Sequence, residues 1–295
     1  MRAYFDKTGA LEVDTPVVVN AGVTDPATPS FRVFSATGDR AVGFLATSPE
    51  YHMKRLLAAG LGDCYSLAPA FRADEHGRRH RSEFALIEWY RLGFDLTALM
   101  ADVAALIAAA GIERPLRRVD YAEVFAATTG LDPLTAADEV LAAAARDAAG
   151  GLEVDPDDRA LALDVLFSHR VVPALERSAL TFVTGYPACQ AALARLDPER
   201  PGTALRFEAF AAGMELANGF EELTDPVEQR ARFEADNRLR RRRGLPVMPI
   251  DDALLAALAH GLPRCAGVAL GLDRLMMVRL GESEIGHVRP FAETP

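Results

Sequence analysis

Four glutamates stand where strand-like stretches should carry apolar side chains, and they constrain the fold more than any other feature of the chain. Glu88 lies in Glu83-Phe84-Ala85-Leu86-Ile87-Glu88-Trp89-Tyr90-Arg91 and Glu208 in Arg206-Phe207-Glu208, while Glu215 and Glu222 bracket Leu216-Ala217-Asn218-Gly219-Phe220-Glu221. Taking a carboxylate out of water is costly unless a cation or a metal accompanies it. Side chains alternate along a strand, so Phe84, Leu86, Glu88 and Tyr90 share one face. Two apolar and two polar groups on that face predict the boundary between a core and a pocket. Hard oxygen ligands such as Glu208 and Glu215 suit magnesium bridging phosphates; the plainer alternative is an ion pair with a core arginine.

Around these stretches the pattern alternates between strands and helices. Residues 1–8 predict the last turns of a helix, capped by Gly9 in a left-handed conformation and followed by an extended Leu11 to Pro16. A helix that begins at residue 1 is either short or cut from a longer one, which puts the true start in question. A short strand is expected near Phe31 to Phe34. Thr47-Ser48-Pro49-Glu50 predicts a helix start with Ser48 as cap and Pro49 in the first position, running to about Ala59. Cys64 to Arg72 and Glu83 to Arg91 read as an antiparallel pair joined by a long charged loop. Alanine-rich helices over 96–110, 121–129, 136–148 and 158–168 suggest a helical insertion at about 96–170 in a single domain spanning 1–295. Strands are expected at Leu180 to Thr184 and Thr203 to Asn218, broken at Ala211-Ala212-Gly213. A long helix opens at Asp225-Pro226-Val227-Glu228, a capping box, and ends in the basic run Arg238 to Arg243. The chain closes with a buried strand from Cys265 to Leu270, a turn at Gly271 and a helix from Asp273.

Composition narrows the class. With 50% hydrophobic and 25% charged residues the 295-residue chain suits a globular protein, and no apolar run approaches the ~18 residues of a membrane span. The formal net charge of -10 gives no general attraction for nucleic acid. Cys64, Cys189 and Cys265 are odd in number and lack metal-binding spacing, so a reducing, cytoplasmic setting is expected. Lys7 and Lys54 are the only lysines among abundant arginines, a bias that fits a GC-rich coding sequence. The basic run Arg238 to Arg243 invites a tRNA-binding reading, but positive charge in a last helical turn is also the ordinary complement of the helix dipole. His80 falls in the charged loop and is a candidate to approach a nucleotide, whereas His169 and His260 fall near helix ends.

Two segments carry further chemical signal. Phe71-Arg72 leads into a loop with Asp74, Glu75, Arg78, Arg79 and Arg81, which suits a polyanion holder or, more blandly, a solvated hairpin loop. Gly267-Val268-Ala269-Leu270-Gly271-Leu272-Asp273-Arg274 is a small-residue strand feeding a helix, where a flat ring could approach the backbone and Arg274 could meet a phosphate. It lacks the G-x-G-x-x-G spacing of a dinucleotide fingerprint.

In this order, the arginine-bearing hairpin, the carboxylate strands and the final strand-helix unit resemble motifs 2 and 3 of the class II aminoacyl-tRNA synthetases, with Leu11 to Pro16 as the end of motif 1. Thr47-Ser48-Pro49-Glu50, Phe71-Arg72, Glu83-Phe84, Glu88-Trp89-Tyr90, Arg206-Phe207-Glu208, Glu215 to Phe220 and Glu222-Leu223 are similar to the lysyl-tRNA synthetase group. The anticodon-reading OB-fold that precedes the catalytic domain in that group is not expected before Met1. The chain therefore resembles more closely the shorter paralogous family, the elongation factor P (R)-β-lysine ligases, as Ser48 to Leu57, Glu88 to Arg91 and Gly267 to Gly271 suggest. Ala269 stands where lysyl-tRNA synthetases usually carry glycine, and its methyl group would favour an amine moved from the α to the β carbon.

The resemblance implies an α+β fold of the class II synthetase type, an antiparallel sheet flanked by helices, in a homodimer. It implies ATP as substrate, magnesium as cofactor, β-lysine as the activated amino acid and elongation factor P as acceptor, with tRNA and membrane not expected as partners. Arg72 and Arg274 would be the catalytic residues. Ser48, Pro49, Glu50, Glu88, Tyr90, Asn218, Phe220, Glu222 and Ala269 would bind the diamino acid. Arg72, Ala73, Asp74, His80, Arg81, Phe84, Glu215, Leu216, Gly271 and Arg274 would bind ATP, and Glu208 and Glu215 the metal. Ala73, Asp74 and Arg81 depart from the family's motif 2, where asparagines and a glutamate are usual, and Glu75 is placed to replace the lost reach. Two other readings remain open from sequence: a truncated lysyl-tRNA synthetase charging tRNA, and an inactive paralogue that regulates a partner.

Overall fold

The computed structural model describes residues 1–151 and 153–291, and the chain divides into two compact units, Met1–Ile112 with Glu222–Pro295, and Glu113–Glu221. The first unit opens with α1 (Arg2–Thr8), stopped as its sequence predicts by Gly9 at φ 75°. Phe5 fixes this helix: it is fully buried, stacks on Tyr65 at 4.2 Å between ring centres and meets Trp89 edge-on at 5.6 Å. The strands β1 (Leu11–Glu12), β2 (Val18–Val19), β3 (Arg32–Phe34) and β4 (Ala41–Leu45) follow, the last three forming a small antiparallel sheet with β4 central.

Helix α2 (Glu50–Ala58) begins one residue later than the sequence suggested. Pro49 takes the cap position, yet the Ser48 hydroxyl still accepts a 3.1 Å hydrogen bond from the Glu50 amide. Strands β5 (Cys64–Phe71) and β6 (Glu83–Leu92) form the expected antiparallel pair, with Cys64 opposite Tyr90 and Phe71 opposite Glu83. Strand β1 joins β5 in parallel, an arrangement alternation alone does not reveal. Helix α3 (Leu96–Ala109), capped by Asp95 accepting from the Ala98 amide at 2.8 Å, completes this stretch.

The second unit contains β7 (Leu116–Asp120), α4 (Tyr121–Thr129), α5 (Asp138–Ala148), α6 (Arg159–Leu166), α7 (Val172–Ala174), β8 (Leu180–Pro187), β9 (Thr203–Ala211) and β10 (Met214–Glu221). Asp120 ends β7 and caps α4, accepting from the Ala122 and Glu123 amides while also pairing with Arg200. Strand β7 carries two adjacent arginines and escapes a hydrophobicity reading; it holds its place by parallel pairing with β8. The sheet is thus mixed rather than wholly antiparallel. Helix α6 stops short of Ser168, where residues 167–171 widen into a π-helical turn. Tyr121, Phe125, Phe167 and Tyr186 pack as an aromatic cluster at 4.8 to 5.9 Å.

Returning to the first unit, α8 (Pro226–Arg242) is capped by Asp225, and α9 (Asp252–Gly261) by Asp251. Arg240 is buried and donates to the carbonyls of Pro246 and Asp25 at 2.6 and 3.2 Å, so this member of the basic run is a fastener of the fold. Strand β11 (Cys265–Gly271) lies antiparallel to β6 with Ala269 opposite Glu88, and leads into α10 (Leu272–Leu280). Gly271 does not turn the chain: its φ of -74° and ψ of 110° are extended, and it caps the helix directly. Gly267 has a stricter reason to be glycine. A β-carbon there would run into the Tyr90 ring and the Glu222 carboxylate. Among the described residues, no helix is long and apolar enough to cross a membrane.

Candidate active site

In the first unit three carboxyl groups converge. Glu50 comes from the first turn of α2, Glu88 from the middle of β6 and Glu222 from the chain just before α8. Lys54, one helical turn after Glu50, places its ammonium 2.7 Å from Glu50 Oε1 and 2.5 Å from Glu222 Oε2. The Tyr90 hydroxyl donates to Glu88 Oε1 at 2.7 Å. Ala269 lies across the strand pair from Glu88, and Gly267 across from Tyr90. Glu88 Oε2 and Glu222 Oε1 are buried without a hydrogen-bond partner, while Glu222 Oε2 faces the Lys54 ammonium. Buried acceptors left open in this way are suited to ammonium donors.

Burial works against the charge of Lys54, but Glu222 and Glu50 outweigh it and raise its pKa, so it stays an ammonium. Burial first, and Glu50 next, push the Glu88 carboxyl up to about 8. Glu222 is also pushed up to about 8 by burial, against the pull of Lys54. A secure charge on Lys54 requires an ionised neighbour. We assign that charge to Glu222, its 2.5 Å partner, and the pocket's retained proton to Glu88.

The charged loop and the final strand-helix unit belong to the same unit of the chain. Arg72 stacks its guanidinium 5.0 Å over the Phe84 ring and reaches Glu75 at 3.4 Å, with its Nε buried and unpartnered. Asp74 adopts φ 63°, and the Ala73 amide donates to the Pro29 carbonyl at 2.8 Å. Arg81 folds back onto its own loop, donating to the carbonyls of Gly77 and His80 at 2.7 and 3.0 Å. Arg274 contacts His80 Nε2 at 2.6 Å. Two residues that sequence reasoning passed over hold this region together. Asp273 accepts from the Ala85 amide at 2.9 Å, and Arg289 bridges Asp273 at 3.3 Å and Glu83 at 3.1 Å.

The second unit holds its own polar cluster. Arg206 donates to Glu208 Oε1 at 2.5 Å and to Asn218 Oδ1 at 3.2 Å, contacts the Gln190 carbonyl, and lies 4.6 Å over the Tyr186 ring. Burial, then the neighbouring Glu215, push the Glu208 carboxyl up to about 7. The core arginine foreseen as an alternative partner for a strand glutamate is therefore present. Phe220 packs on Ala191, Ala194 and Ala204, and Leu216 is buried. Among the described residues no three His, Cys, Asp or Glu side chains group to hold a metal ion. A cation here would have two carboxylates from the chain and would take its remaining oxygens from elsewhere, as magnesium does when it binds through phosphates. Two half-buried carboxyl groups, with the charge of Glu215 helping to raise the pKa of Glu208, fit such a cation.

Residues 1–295 match the family of tRNA synthetases class II (D, K and N). The chain is 45% identical over 295 residues to the Elongation factor P--(R)-beta-lysine ligase of Vibrio cholerae serotype O1, covering 99% of this chain and 91% of the relative. It is 44% identical to the proteins of the same name from Klebsiella pneumoniae, over 299 residues, and Pectobacterium carotovorum, over 296 residues, with the same coverage.

Proposed function

The chain belongs to the class II tRNA synthetases of the D, K and N group, and from that premise we propose that it is an ATP-dependent ligase that activates (R)-β-lysine and transfers it to a lysine side chain of elongation factor P. The observation that carries this reading is the trio Glu50, Glu88 and Glu222, the last two buried with open carboxylate oxygens suited to a diamine. The acceptor comes from the name shared by relatives at 43 to 45% identity.

In the first step a carboxylate oxygen of β-lysine attacks the α-phosphorus of ATP, the bond to the β-phosphate oxygen breaks, and pyrophosphate leaves. In the second the neutral amine of the acceptor lysine attacks the acyl carbonyl, AMP departs with the bonding pair, and the new amide nitrogen loses a proton. No protein nucleophile is needed, and catalysis rests on positioning and charge neutralisation. Arg72, held over Phe84, meets the substrate carboxylate and α-phosphate; Arg274 grips the outer phosphate. Ala73, Asp74, His80 and Gly271 shape the nucleotide site. Ser48 and Pro49 complete the wall around the diamine. Glu208 and Glu215 are the groups that would hold magnesium, which supplies positive charge to the phosphates. The folded-back Arg81 acts by shaping its loop.

The test offers purified protein ATP, magnesium and either lysine isomer, with elongation factor P and tRNA as parallel acceptors, and reads products by mass spectrometry. β-Lysine on the protein acceptor is expected; α-lysine on tRNA would overturn the reading. Replacing Ala269→Gly should shift kcat/KM toward α-lysine by about 10-fold, the discrimination a single methyl group in a pocket can carry.

A further inference from the structure

Lys54 is buried in the middle of the carboxylate trio, and neither step of the reaction uses it. It cannot be a passive filler. A hydrocarbon would fit an apolar core, but here an ammonium is held between Glu50 and Glu222 at 2.7 and 2.5 Å. The principal charged groups acting on both Glu88 and Glu222 are Glu50 and Lys54, and Glu88 also acts on Glu222. Once a bound cation has displaced the proton from Glu88, three carboxylates less one ammonium leave two negative charges to be matched. A diamino acid brings two ammonium groups. Any other number leaves a net charge in a buried site, which is expensive.

We propose that Lys54 is a specificity-determining residue, an internal ammonium that sets the pocket's charge count so that it accepts a substrate with two cationic groups. The inference rests on the diamine reading above and deepens it. Lys54 acts through Glu50 and Glu222, so it is a positioning residue rather than a catalytic one.

Its test is a charge-count experiment. Lys54→Met should raise the KM for β-lysine about 10-fold, the loss of one charge-assisted contact, with kcat within about threefold. Glu50→Gln alone should raise KM similarly, because the bound complex then carries one positive charge too many. Combined, Lys54→Met with Glu50→Gln restores the count of two, and KM should return to within about threefold of the unmodified protein, where additive losses would give about 100-fold. A double variant worse than either single one would overturn the proposal, as would an unchanged KM in Lys54→Met. A merely structural lysine does not predict that one substitution harms in one background and helps in the other. A second arm needs no variant and no turnover. Calorimetry on the unmodified chain should find pentane-1,5-diamine bound about 10-fold tighter than pentylamine, and equal affinities would overturn the charge count. If neither lysine isomer is activated while the diamine preference holds, the ligase reading fails and the charge count stands.

Discussion

At the scale of single residues, the carboxyl groups are where folding and binding pull in opposite directions. Glu88 has an ordinary value of 4.5 and is pushed up to about 8 by burial and then by Glu50. Below about pH 4.5 it is protonated whether the chain is folded or not. Between 4.5 and 8 the unfolded chain ionises it while the folded chain keeps the proton, so stability falls as pH rises and levels off above 8. Glu88→Gln keeps an acceptor for the Tyr90 hydroxyl and removes the titration. The variant should therefore gain melting temperature over the parent at pH 8 to 9 and match it near pH 5, while β-lysine activation is lost. An equal difference at all pH values would show that Glu88 is not held neutral. The glutamates themselves were legible in the sequence because an acid inside a strand is conspicuous. Lys54 was not, although it stands four residues after Glu50, because only the fold shows that this spacing points inward. Arg206 was quoted as part of a motif, yet its grip on Glu208 depends on strand geometry in which residues two apart share a face.

At the scale of elements, helix ends and antiparallel strands were readable because their signals are local. Gly9 and Asp225 cap as their sequences predict, and Asp120 caps α4 by the same local chemistry. What escaped was non-local. Strand β7 has little apolar character and owes its existence to pairing with β8, and β1 to pairing with β5. Helix α9 shows that a short run of Ala and Leu without a strong signal still folds when its face covers Met53, Leu57 and Phe233 in a common core. Helix α1 is short, and isolated helices of this length are not stable in water. Its place depends on Phe5, whose ring is buried against Tyr65 and Trp89. Phe5→Ala should cost about 3–5 kcal/mol, seen as a lower urea midpoint of the first unit with an unchanged slope. A loss below about 1 kcal/mol would mean that α1 is not anchored there.

At the scale of the whole molecule, the class II assignment accounts for why a mostly antiparallel α+β architecture was foreseeable from ordered motifs, while the division into two compact units was not. Contact density, not sequence pattern, sets that division. The family also implies a homodimer. Leu11, Val18 and Phe34 expose about half of their surface, at 54%, 49% and 50%, and are apolar groups a partner copy would cover. Light scattering should give twice the chain mass, and replacing Leu11→Glu together with Val18→Glu should return the monomer; a monomeric parent would refute the dimer. The burial of Lys54 has one more consequence. An activated acyl group is an indiscriminate electrophile toward amines, and this chain has only two lysines. One is sealed inside the carboxylate trio as a protonated, non-nucleophilic ammonium, and only Lys7 faces solvent. A catalyst of amine acylation built this way offers its own reagent almost nothing to react with, so the acyl group survives to meet an external amine.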